Sequence, residues 1–261
     1  MPEAVLAGHS MAWREWGAGA PVLALHCSLA HSGAWSGVAA ALPGHRLVAP
    51  DLPGHGRSAD WAGGDLHDLT TEACAALAES LGRPIDLIGH SFGGTVALRL
   101  ALENPGLVRR LVLIEPVLFT AARRAGAPEY IEFMDRHGDW PTDVAEAAAG
   151  FHAIWGAGAF ADLAAPQQGY MIDRMPLVRT IQPLLHDDLR GLAAPGRIES
   201  LALPVLLLEG AESPPVVAAI QRELARRLPD ARRHVIADAG HMLPITHPLP
   251  VAALIADFLD Q

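Results

Sequence analysis

The stretch DLIGHSFGGTVALRLA, residues 86–101, carries an apolar run into Gly89-His90-Ser91-Phe92-Gly93-Gly94 and out again into helical spacing. Glycine adopts backbone torsions that side chains forbid and lets backbones approach closely, so this cluster marks a tight turn between a strand and a helix. The pentapeptide fits Gly-x-Ser-x-Gly, which in that context presents a serine nucleophile on a sharp elbow. The competing reading is a glycine-rich turn in which Ser91 only caps the helix.

Outward from this turn, strands alternate with helices. "PVLALH" (21–26), "RLVAP" (46–50), "RPIDLIGHS" (83–91) and "LVRRLVLIEP" (107–116) read as strands, followed much later by "LPVLLLEGA" (203–211) and "RRHVIADAG" (232–240). Helical spacing marks 33–42, 66–81, 93–105, 215–228 and 248–260. Near-continuous apolar strands alternating with helices predict an α/β fold, a mostly parallel, doubly wound sheet covered on both faces. Ligands bind such sheets beyond the carboxyl ends of the strands, which is where His26, Ser91, Glu115, Glu212 and the His241 loop fall. Residues 119–200 break the rhythm with Trp140, Phe151, Trp155, Phe160 and Tyr170 in helix-like segments, and are expected to be a helical insertion over that edge. The division expected is therefore a core of 1–118 and 201–261 with the insertion between.

Composition narrows the function classes. A chain of 261 residues, 51% hydrophobic, can bury the core of one large domain. No apolar run approaches the roughly 20 residues of a membrane span, and residues 1–16 lack the pattern of an export signal. A cytoplasmic protein without a membrane partner is the expectation. The formal charge of -10 opposes binding to nucleic acid or an anionic surface. All 19 basic residues are arginine, which removes Schiff-base lysine chemistry and the Gly-Lys-Ser/Thr phosphate loop. Two cysteines, Cys27 and Cys74, give no disulfide framework. A small-molecule substrate is expected as partner, and a homodimer is left open.

Four segments occur in order, "LALHCSLAHSGAW" (23–35), "VAPDLPGHGRS" (48–58), "GHSFGG" (89–94) and "ADAGHMLPITHP" (237–248). Together they resemble the α/β-hydrolase family across nearly the whole chain. The resemblance implies an eight-stranded, mostly parallel sheet, a nucleophile elbow and a helical cap that shapes the substrate pocket, here the insertion at 119–200. It makes Ser91 the nucleophile and His241, after the last strand, its base. His90 and His247 are not in the base position. The resemblance gives the backbone N–H of Phe92 as one oxyanion donor. The second follows a His-Gly pair in the family; here the pair reads His26-Cys27, which puts Ser28 in the donor position and departs from the pattern at the glycine. His26, Cys27, His90 and Trp155 are expected around the substrate. His26, Cys27 and His31 as metal ligands lack a fourth ligand at a recognisable spacing, and Cys27 as nucleophile lacks an elbow. Neither a metal nor an organic cofactor is implied.

The acid departs most from the family. Counting from Gly210, the usual aspartate position holds Ser213, which cannot stabilise an imidazolium electrostatically. Glu115, at the end of the strand after the nucleophile helix, matches the acid position of some branches; Glu212, one residue short of the usual place, is the alternative, and Glu209 a distant third. The implied reaction is hydrolysis of a small, fairly apolar ester, thioester or lactone through an acyl-enzyme on Ser91. The same frame also serves carbon-carbon bond hydrolysis and perhydrolysis. The missing aspartate keeps open a non-catalytic ligand-binding receptor or scaffold.

Overall fold

The computed structural model describes residues 1–82 and 84–261. Eight strands, β1 (Glu3–Leu6), β2 (His9–Trp16), β3 (Ala20–Leu25), β4 (His45–Pro50), β5 (Ile85–His90), β6 (Val108–Ile114), β7 (Val205–Gly210) and β8 (Ala231–Ile236), form one sheet. Their order is β1-β2-β4-β3-β5-β6-β7-β8, parallel from β4 to β8 and antiparallel where β2 meets β1 and β4. The helices are α1 (Ser36–Ala40), α2 (Leu66–Ser80), α3 (Phe92–Glu103), α4 (Phe119–Arg124), α5 (Pro128–His137), α6 (Val144–Trp155), α7 (Ala165–Asp187), α8 (Pro215–Arg227), α9 (Leu243–Thr246) and α10 (Pro248–Leu259).

Strand side chains alternate between faces, and both faces of the central strands are buried. Leu23, Leu25, Leu87, Leu111, Leu113 and Leu207 meet α2, α3 and α8 on one side. Val22, Ala24, Ile88, Val112, Ile114 and Leu208 meet α1 and α10 on the other. That two-sided burial is why these strands read as unbroken apolar runs. The strand read from position 83 runs from Ile85; position 83 lies outside the described residues.

The antiparallel pair β1 and β2 lies outside the strands expected from the apolar runs. It joins at Ala7-Gly8, both at positive φ (49° and 77°), and most of its side chains lie outside the core. Residues 119–200 hold α4 to α7 and no strand among the described residues. Within them α6 and α7 pack around Ala147, Ala148, Met175 and Val178, and Leu29 from the loop after β3 joins that cluster. Phe119, Ala121 and Ala122 of α4 belong instead to the main core with α8, so the first turns of this segment are rooted in the sheet domain.

Candidate active site

Ser91 stands between β5 and α3 at φ 55° and ψ -117°, a torsion pair that strains any residue with a side chain. The neighbouring glycines allow it. A Cβ on Gly89 would collide with the Gly93 carbonyl and with Ala97, and one on Gly93 with the carbonyls of Leu25 and His26. Gly93 thereby lets the first turn of α3 press against the exit of β3, which brings the Ser28 loop beside the serine. The Ser91 N–H donates to the Ile114 carbonyl at 2.9 Å. At the next strand end the Glu115 N–H donates to Leu208 at 3.0 Å. Ser91 and Glu115 therefore sit at the carboxyl ends of adjacent strands.

Glu115 is fully buried, and its φ of 46° turns the side chain out of the strand register. Its Oε2 accepts the Nδ1–H of His241 at 2.6 Å. Its Oε1 accepts the Gly210 N–H and the Ser213 hydroxyl, each at 2.6 Å. Three donors thus converge on one buried carboxylate. The serine at the usual aspartate position thus points its hydroxyl at the carboxylate that contacts the histidine. Gly210 is needed here, because a Cβ would strike the Ala239 carbonyl where the ends of β7 and β8 converge. Glu212 is on the surface and meets this region only through its backbone N–H, which donates to Ala239 at 2.8 Å. Glu209 is buried and paired with Arg233. Of the three sequence candidates, only Glu115 touches His241.

His241 is buried, with the Trp155 ring 4.7 Å from its own, centroid to centroid. Its carbonyl accepts the Nε2–H of His90 at 2.8 Å. Burial, and then the neighbouring His241 ring, hold the pKa of His90 well below the usual histidine value. The residue before the serine therefore fixes the backbone of the histidine loop.

His26 is equally committed. Its Nε2 accepts the Leu52 N–H at 2.9 Å and its Nδ1–H donates to the Cys27 carbonyl at 2.7 Å, with burial lowering its pKa to about 4. Both histidines were expected to contact substrate, but they line neither cavity at the serine, because their rings are spent on backbone groups. Metal ligation through His26 is opposed by the same two bonds.

Two cavities of about 520 Å³ and 680 Å³ meet at Ser28, Ser91, Phe151 and Trp155. Cys27 and His241 line the larger one only. Burial pushes the Cys27 thiol up to about 12, so it lines the wall as a neutral thiol. The N–H groups of Ser28 and Phe92 have no hydrogen-bond acceptor among the described residues, and that of Phe92 opens the first turn of α3, where backbone donors are free and the helix dipole favours negative charge.

A link the sequence did not reveal ties the insertion to this loop. The Tyr170 hydroxyl, from α7, donates to the Ala30 carbonyl at 2.8 Å and accepts the Gly56 N–H at 2.9 Å. His55 supports the same loop, accepting the Leu29 N–H at 3.3 Å.

A model of the alpha/beta hydrolase family matches residues 22–254. The chain is 32% identical over 253 residues to lipase LipV of Mycobacterium tuberculosis, covering 90% of this chain and 92% of that protein. It is also 32% identical over 255 residues to the pimeloyl-[acyl-carrier protein] methyl ester esterase of Methylococcus capsulatus, covering 93% and 96%. Among solved structures, an alpha/beta hydrolase from Sphaerobacter thermophilus superposes with a TM-score of 0.70 at 20% identity, over 99% of this chain and all of that one. A family model matched over most of the length, and relatives related end to end, place this chain in the alpha/beta hydrolase family.

Proposed function

We propose that this chain is a serine hydrolase of small, fairly apolar carboxylic esters, thioesters or lactones, working through an acyl-enzyme on Ser91. The observation that carries the reading is the 2.6 Å contact between His241 Nδ1 and the buried Glu115 carboxylate, with His241 and Ser91 on one cavity wall. With Nδ1–H held by Glu115, the imidazole keeps Nε2 free to accept the Ser91 proton as Oγ attacks the substrate carbonyl. The negative charge that forms on the carbonyl oxygen is met by the N–H groups of Phe92 and Ser28. His241 then gives its proton to the leaving oxygen or sulfur. Water, deprotonated by the same imidazole, attacks the acyl carbon and frees Ser91.

In this reading residues 119–200 act as the cap that walls the substrate, with Trp155 between the two cavities. The relatives named for lipase and methyl ester hydrolysis support the ester class. Two buried free thiols support a reducing, cytoplasmic setting. The test is kinetic, on a panel of short acyl esters and lactones. Ser91→Ala is expected to lower turnover by about 10⁴ to 10⁶-fold in a folded protein, and His241→Ala by a similar factor, since such groups act as a unit. A Ser91→Ala protein that keeps about a tenth of wild-type turnover removes the assignment.

A further inference from the structure

The two cavities at Ser91 differ in which catalytic group they reach, and that difference orients the substrate. His241 lines only the larger cavity. The group that receives its proton must lie on that side, so the alcohol or thiol leaves through the larger cavity. The acyl chain then occupies the smaller one, which Ser91 also lines.

The acyl cavity is apolar near the serine and changes character outward. Trp155 lies against His241; Phe151 is 6.5 Å from Trp155, and Trp140 5.9 Å from Phe151, ring to ring. Next to Trp140 stands Arg179, whose Nη2 donates to the carbonyls of Pro141 and Thr142. Arg179 lines this cavity, has no carboxylate partner among the described residues, and its Nε–H is buried without an acceptor. Among the described residues neither cavity has another arginine in its lining. The carboxylate of Asp187, also on the lining, is already paired with Arg123 at 3.2 Å. His186 stacks on Phe119 at 4.4 Å, and burial lowers its pKa to about 4, which leaves it neutral. The Nη2 side of the half-buried Arg179 guanidinium is taken up by two carbonyls, while its Nε–H is left without an acceptor, which is costly. A carboxylate is the natural complement of such a group.

We propose that Arg179 binds a carboxylate at the far end of the acyl chain, so that the preferred substrates are half esters of α,ω-dicarboxylic acids with an apolar middle. The inference rests on the acyl-enzyme reading for its orientation, and the experiment separates the two. kcat/KM is measured for monomethyl esters of diacids from succinate to sebacate, beside methyl esters of monocarboxylic acids of equal length, with wild-type, Arg179→Gln and Arg179→Lys proteins. At the best length the half ester is expected to exceed its neutral counterpart by about tenfold or more. Arg179→Gln should bring that ratio to about one, and Arg179→Lys should retain part of it. Equal or better turnover of the neutral esters by the wild type overturns the proposal.

Calorimetry on the Ser91→Ala protein gives a readout that does not need turnover. Tighter binding of the half ester, lost with Arg179→Gln, supports the anion site even if no ester is hydrolysed, in which case the hydrolase reading falls alone. Hydrolysis of both series with no binding preference removes the anion site and leaves the hydrolase reading intact.

Discussion

Glu115 decides whether His241 is a base or a bystander. A carboxylate that holds the far nitrogen of such a histidine fixes its tautomer and stabilises the imidazolium. Glu115→Gln keeps the shape and removes the charge, and is expected to lower turnover by at least about 10²-fold, whereas Glu212→Gln on the surface should cost less than about tenfold. Steady-state rates of the two purified proteins check this, and the reverse pattern would move the acid. From the residues alone, both glutamates stayed open, because reach depends on a backbone torsion and on the convergence of two strand ends. What was legible was the negative fact that Ser213 cannot do the work of an aspartate; its hydroxyl bond to Glu115 at 2.6 Å was not. In the loop proposed to supply the second oxyanion donor, Cys27 is a buried thiol. Cys27→Ala should change turnover modestly, by less than the roughly 10²-fold that removal of an oxyanion donor costs. A Cys27→Ala protein as inactive as Ser91→Ala would mean that the thiol takes part in the chemistry.

At the scale of elements, the loop after β3 is held by groups far away in the chain. Tyr170 reaches it across 140 positions, and His55 and His26 support it from the loop after β4 and from its own start. No periodicity or motif announces such contacts, so the sequence offered Tyr170 only as one aromatic of the insertion. If the Tyr170 hydroxyl positions the Ser28 N–H, Tyr170→Phe should lower kcat by about tenfold, as expected for a misplaced transition-state donor, with little change in KM or in the pH profile. A rise in KM alone would reduce Tyr170 to a wall of the cavity. The strands of the sheet centre were readable for the opposite reason: each is buried on both faces and carries its own signal. The β1-β2 pair packs mostly outside the core, and its pattern was correspondingly faint.

The whole molecule carries several histidines that folding keeps neutral. Burial lowers the pKa of His26 and His186 to about 4 and of His55 and His67 to about 3. The unfolded chain protonates the same rings below about pH 6.5. Between that pH and the folded values the unfolded state binds more protons, so stability falls as pH falls, by up to about 1.4 kcal/mol per pH unit for each such ring. Urea unfolding at about pH 7.5 and about pH 5 should show this loss, and a pH-independent midpoint would mean that these rings are not buried neutral. The central claim, that Ser91 is a nucleophile activated through His241 by Glu115, is tested most directly by the rate at which a fluorophosphonate probe modifies the intact protein, with the adduct located by peptide mass spectrometry. The account predicts rapid, single-site modification of Ser91, slowed by at least about 10²-fold in Glu115→Gln. A Ser91 that reacts no faster than an ordinary surface serine, or an adduct found on Cys27 instead, would contradict it.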